Sequence, residues 1–189
     1  MDLIEAVKII DNCLPQGLNK NLNSWLNLTD GFEEACIMGS EENVVKKKIR
    51  QTETLNFNIL SKSLTNVSFF NILGMNFKKH ILEYIDDFNG EVSIKGIQEI
   101  SALKYVEGGH YVFHTDHHHK IPRTLSLIYM VNDDYTGGTL CFKGPKKNDM
   151  DILKKVEPKS NRLIIWPSSH LFPHAVEPVT EGVRYSVVC

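Results

Sequence analysis

Residues 105–116 read Tyr-Val-Glu-Gly-Gly-His-Tyr-Val-Phe-His-Thr-Asp. Two runs rich in β-branched and aromatic residues meet here across Gly108-Gly109, the pattern of one strand turning into the next. The same texture continues outward. Residues 97–106, 111–115, 125–131, 139–143, 162–166 and 183–188 are all short runs of this type. Turn residues separate them, among them Asn132-Asp133-Asp134, Gly137-Gly138, Gly144-Pro145, Pro158, Pro167 and Glu181-Gly182. Many short strands with close turns predict a two-sheet β core of sandwich or jelly-roll type.

Toward the N-terminus the period lengthens. Asp2 with Glu5 resembles a capping box, and Leu3, Val7, Ile10 and Leu14 follow at helical intervals until Pro15-Gln16-Gly17. A second helix is predicted over 67–88, where Phe70, Leu73, Phe77, Ile81, Tyr84 and Phe88 form one apolar face. Asn89-Gly90 supplies its stop. The fold class expected is mainly β with supporting α-helices on one face. Residues 1–189 are expected to form one domain, with about 1–90 as helical support and first strands and about 91–189 as the catalytic β core.

A hydrophobic content of 42% suffices for a core, and the net charge of −2 gives no basis for binding nucleic acid. Lys46, Lys47 and Lys48 form the tightest basic run and read as a solvated edge. The four cysteines, Cys13, Cys36, Cys141 and Cys189, contain no C-x-x-C pair, which argues against zinc ribbons and dithiol redox motifs. The start carries acids within its apolar stretch, unlike a secretory signal, and no window approaches the roughly 18 apolar residues of a membrane span. The expectation is a cytoplasmic protein with free thiols, no membrane contact and an oligomeric state left open.

His114-Thr115-Asp116 carries the chemistry. Residues i and i+2 of a strand share a face, so an imidazole and a carboxylate can reach one cation. His174 is the candidate third ligand. Two histidines and a carboxylate on one face of a metal leave the other positions open, as in the facial triad of non-haem Fe(II) oxygenases. Arg184 follows His174 by ten residues in a β run. An arginine facing a β core needs an anion, and a planar guanidinium suits a carboxylate. A dicarboxylate co-substrate would supply one. His117, His118 and His119 read as a solvated loop at the mouth, with a second metal site as the alternative. His80 is placed on the polar side of its helix, as a structural or exposed residue, and Trp166 in the core. His110 and His170 flank ligand segments outside the triad.

With these motifs in place, residues 103–189 resemble the catalytic domain of the prolyl 4-hydroxylase-like 2-oxoglutarate/Fe(II) dioxygenases. The matching stretches are YVEGGHYVFHTD (105–116), RTLSLIYMVNDDYTGGTL (123–140) and NRLIIWPSSHLFPHAVEPVTEGVRYSV (161–187). The resemblance implies a double-stranded β-helix, with Fe(II) on His114, Asp116 and His174. It implies 2-oxoglutarate as co-substrate with its distal carboxylate on Arg184, and Tyr105 beside co-substrate or substrate. O2 is the oxidant, succinate and CO2 are released, and ascorbate is a candidate accessory. The implied substrate is a prolyl side chain in a peptide or protein. A small molecule or nucleobase, or a non-catalytic sensor, are the alternatives. Two departures stand out. Met130 occupies a position where relatives often carry a tyrosine that shares the distal carboxylate, and Tyr129 beside it points to the other face. The chain also ends at Cys189, where relatives run further, which suggests a minimal or trimmed core.

Overall fold

Strand β7, Leu125–Met130, sorts the core by its pleat. Leu127 and Tyr129 join an apolar cluster with the helices, whereas Ile128 and Met130 join a second cluster between the sheets. The structure is a computed structural model and describes residues 3–36, 46–88, 93–118, 122–146, 148 and 151–189.

The chain enters through a 3-10 turn, Leu3–Ala6, strand β1, Lys8–Asp11, and helix α1, Gln16–Leu28. Short strands β2 (Glu33–Glu34), β3 (Arg50–Gln51) and β4 (Glu53–Asn56) precede helix α2, Leu64–Asp87. The remainder is β: β5 (Ser101–Tyr105), β6 (His110–His114), β7, β8 (Thr136–Gly137), β9 (Leu140–Lys143), β10 (Ile152–Val156), β11 (Arg162–Pro167), β12 (His174–Val176), β13 (Val179–Glu181) and β14 (Arg184–Val188). Among the described residues, one sheet runs β1-β11-β7-β14-β5-β4-β2 and the facing one β10-β9-β12-β6-β3, with β13 and β8 as a small ribbon. This is the mainly β, jelly-roll-like architecture expected, with helices on one face.

Helix α2 begins earlier than its apolar stripe suggests, because the Ser63 side chain accepts from Asn66 N and caps it. Leu73 and Phe77 are fully buried against Tyr129, Leu163 and Val187. Burying such side chains contributes roughly 1.5–3 kcal/mol each. The buried residue at the start of the stripe is Phe69, and Phe70 is half-buried. His80 departs from its placement on the polar side: it is buried, with Nδ1 bonded to Glu83 Oε2 at 2.8 Å. The Asn89-Gly90 stop and Asp2 lie outside the described residues.

The N-terminal helix is a correction. Residues 8–11 pair with β11 instead, Lys8 opposite Ile165 and Asp11 opposite Arg162. β-branched Ile9 and Ile10 suit a strand, and the open edge of β11 supplies hydrogen-bond partners that the spacing of Leu3, Val7, Ile10 and Leu14 cannot reveal. Pro15, expected to stop that helix, starts the next: its carbonyl accepts from Leu18 N and Asn19 N. A proline at a helix start gives up no hydrogen bond. Among the described residues no helix is long and apolar enough to cross a membrane.

Candidate metal centre

Strands β6 and β12 are antiparallel neighbours, and their register sets His174 directly opposite His114. Asp116 follows two residues after β6 and turns back to the same point. One ligand atom from each of the three residues falls within 4.8 Å of the others. His114 Nε2 lies 3.5 Å from Asp116 Oδ1, and His174 Nε2 lies 3.5 Å from Asp116 Oδ2.

Each imidazole is oriented by its own backbone. His114 Nδ1 meets Val112 O at 2.9 Å, and His174 Nδ1 meets Phe172 O at 3.1 Å. A carbonyl can only accept, so Nδ1 carries the proton and Nε2 presents its lone pair to the cluster. Burial pushes His174 down to about 4, against the pull of Asp116, and keeps it neutral. Burial alone would raise Asp116. Protonated His174 and His114, with a hydrogen bond from Ser126, would outweigh it and hold the carboxyl well below the usual carboxylate range, and a cation bound among neutral imidazoles would take over that pull. Neutral imidazoles beside a carboxylate are the protonation states that a divalent cation requires.

The cluster lies on the wall of a cavity of about 780 Å³. Leu103, Tyr105, Ile128, Trp166, Val176 and Val188 line its inner part, and Arg50, Lys95, Glu99 and Arg123 stand around it. Arg184, opposite Tyr105 in the register of β14 and β5, is fully buried. Its Nη1 donates to Ser186 Oγ at 2.8 Å, and its guanidinium stands 4.9 Å from the Tyr105 ring centre. Its Nε and Nη2 have no partner. An arginine held this way presents two unpartnered donor nitrogens and a charge in a low-dielectric core, the chemistry of an anion site.

The other residues near the site or named from the sequence fall as follows. Arg123 lines the cavity and donates to Asp116 O and Glu99 Oε2, both at 3.4 Å. His117 Nδ1 contacts Arg123 O at 3.2 Å, while His119 lies outside the described residues. Among the described residues the triad is the one group of histidines, cysteines and acids close enough to hold a metal. His110 binds Gly108 O, and His170 is exposed. Met130 points into the core between the sheets, and Tyr129 points to the helices, where its hydroxyl meets Asn19 and Asn161. Sequence reasoning missed Tyr111, whose ring stacks on His114 at 3.5 Å between centroids with Arg50 on its ring 4.9 Å away. The alternation of β6, which puts Tyr111 near His114's face only through a bulge against β12, hid it.

Residues 100–189 match the model of the 2OG-Fe(II) oxygenase superfamily. That segment, just under half of the chain, is similar to members of that superfamily. The superfamily match covers β5 to β14 and therefore the whole triad and Arg184. Two PKHD-type hydroxylases from Synechococcus strains are 33% identical over 102 residues, covering 50% of this chain and 42% of theirs. Human prolyl 3-hydroxylase 3 is 37% identical over 62 residues, which are 33% of this chain and 8% of that protein. The chain thus spans less than half the length of these relatives. In fold it is similar to a Trichoplax adhaerens prolyl hydroxylase solved with a hypoxia inducible factor peptide fragment. The TM-score is 0.78 at 21% identity, over 97% of this chain and 81% of that one. A Pseudomonas putida prolyl-4-hydroxylase gives 0.71 at 19%, over 97% and 90%.

Proposed function

We propose that the chain is a dioxygenase dependent on Fe(II) and 2-oxoglutarate that hydroxylates an unactivated C–H bond, prolyl 4-hydroxylase-like, on a peptide or protein. The observation that carries this is the pairing of a metal-ligand cluster with a buried, unpartnered arginine packed on Tyr105, a residue of the same cavity's wall. Two Nε2 lone pairs and a carboxylate converge on the cavity wall, and a fully buried arginine with two unpartnered nitrogens stands behind the Tyr105 ring. A metal ion alone would need the first. A metal with a chelating dicarboxylate uses both.

His114, Asp116 and His174 would hold Fe(II). Bound Fe(II) with 2-oxoglutarate and O2 supplies the oxidising power for hydroxylation, with release of succinate and CO2. The protein contributes geometry. Val112 O and Phe172 O hold the two imidazoles in one tautomer, and Ser126 steadies the carboxylate. Arg184 would fix the far carboxylate of the co-substrate, so that its keto acid end meets the metal in one orientation. Leu103, Ile128, Trp166, Val176 and Val188 keep water from the inner cavity. The peptide substrate is supported by likeness to the Trichoplax enzyme, which was solved with a peptide on it. Cytoplasmic operation suits four unpaired cysteines, and ascorbate is an accessory to be tested by omission.

The test is succinate formation from 2-oxoglutarate by the purified chain with Fe(II) and O2, across a panel of proline-containing peptides. His174→Ala should lose metal binding and turnover together, and Arg184→Ala should mainly weaken 2-oxoglutarate binding. An Asp116→Ala variant with full metal affinity and activity would overturn the assignment.

A further inference from the structure

Arg184 is not alone in lacking a partner. Tyr135 Oη is also buried and without a hydrogen bond. A buried hydroxyl left unsatisfied costs roughly 1–3 kcal/mol, so a group kept this way needs a reason. Both side chains converge on one glycine. A Cβ on Gly138 would stand 2.8 Å from Arg184 Cδ and 3.0 Å from Tyr135 Cε2. Gly182 performs the same service behind the tyrosine: a Cβ there would meet Tyr135 Cα and Cβ at 3.2 Å. Two glycines at positive φ therefore let the turn after β7 fold Tyr135 inward onto the guanidinium. Burial pushes the Tyr135 phenol up, and the charge and N–H groups of nearby Arg184 oppose the rise.

We propose that Tyr135 is a second binding residue for the distal carboxylate of the co-substrate, acting beside Arg184 from the turn rather than from position 130. The assignment rests on the co-substrate reading given above. Its chemistry is simple. A guanidinium has only donors, and a phenol placed against it can accept from arginine while its own proton remains free. One carboxylate oxygen then takes the phenol proton and the other takes Arg184 Nη2 or Nε. All the orphaned polar groups of this corner are satisfied by one dicarboxylate end. Met130, fully buried in the cluster between the sheets, supplies only apolar wall where such a hydroxyl would otherwise stand.

The experiment is calorimetric titration of the full chain loaded with Mn(II), using 2-oxoglutarate and 2-oxopentanoate, which lacks the distal carboxylate. Wild type, Tyr135→Phe, Arg184→Met and the double variant are compared. Tyr135→Phe should weaken 2-oxoglutarate about tenfold, as expected for one hydrogen bond to a charged group, and leave 2-oxopentanoate unchanged. In the Arg184→Met background the same change should have a smaller effect, since both act on one carboxylate. Should Tyr135→Phe lower Tm, the ratio of the two affinities on one preparation still carries the result. If Arg184→Met weakens 2-oxoglutarate and Tyr135→Phe does not, the assignment of Tyr135 is overturned alone. If neither variant separates the two keto acids, the co-substrate reading falls and this inference falls with it.

Discussion

Gly138 shows how much can hang on an absent side chain. Its φ is +63°, and a methyl group there would press on Arg184 Cδ, Tyr135 Cε2 and Val179 Cγ2 at 2.8, 3.0 and 3.2 Å. The left-handed backbone alone costs a non-glycine residue on the order of 1–3 kcal/mol. Gly138→Ala should therefore lower stability by about 2 kcal/mol. The displaced arginine should also weaken 2-oxoglutarate binding while Mn(II) affinity stays near wild type, because the triad sits on other strands. Urea denaturation and two calorimetric titrations check this. An alanine variant with normal 2-oxoglutarate affinity would show that the close packing around Gly138 does not position Arg184. The sequence showed Arg184 clearly, because an arginine in a β run ten residues past a candidate histidine is unusual chemistry. It did not show Tyr135. A tyrosine after Asn132-Asp133-Asp134 reads as part of a polar turn, and only two positive-φ glycines reveal that the turn folds inward.

At the scale of elements, the triad was legible and the N-terminal support was not. His114 and Asp116 are two apart where β6 ends, Asp116 lying in the bend beyond the strand rather than on it, and His174 was found by its chemistry. The register that sets His174 opposite His114 follows from pairing no local pattern displays. Residues 8–11 failed for the same reason in reverse: their spacing fits a helix, and the partner that makes them a strand is β11, about 150 residues away. Asn161 locks that long-range pairing. It holds φ +63°, its Oδ1 accepts from Leu14 N at 2.8 Å and Tyr129 Oη at 2.9 Å, and its Nδ2 donates to Leu14 O at 2.7 Å. Removing the side chain orphans the Leu14 backbone groups and leaves the Tyr129 hydroxyl with Asn19 alone. Asn161→Ala should cost about 2–4 kcal/mol, the sum of buried groups left unpaired and a strained left-handed residue. Metal affinity should hold, since β1 and β11 belong to the sheet opposite the histidines. A variant that keeps full stability in urea would remove Asn161 from this role.

At the scale of the whole molecule, closing one sheet over the other leaves His174 only 3% exposed, and this makes stability depend on pH. In the unfolded chain the imidazole titrates at its ordinary 6.5; in the folded protein burial moves it to about 4. Between those values the unfolded state holds more protons than the folded state. Stability is thus complete above about 6.5 and is lost as pH falls toward about 4. A shift of this size corresponds to about 3 kcal/mol at most. Asp116, held below the usual carboxylate range, adds acid sensitivity only at lower pH. A metal held at the candidate triad would act in the same direction, because a cation binding the neutral imidazole would stabilise the folded state by mass action. Thermal unfolding from pH 4.5 to 8 should therefore show a falling Tm for metal-free wild type below pH 6.5, and a flatter profile for His174→Gln. Mn(II) should raise the wild-type Tm most at neutral pH, with the increment shrinking in acid as protons compete for Nε2. If His174→Gln kept the wild-type slope between pH 6.5 and 4.5, the acid sensitivity would belong to another group, and the burial of a neutral His174 would not be its cause.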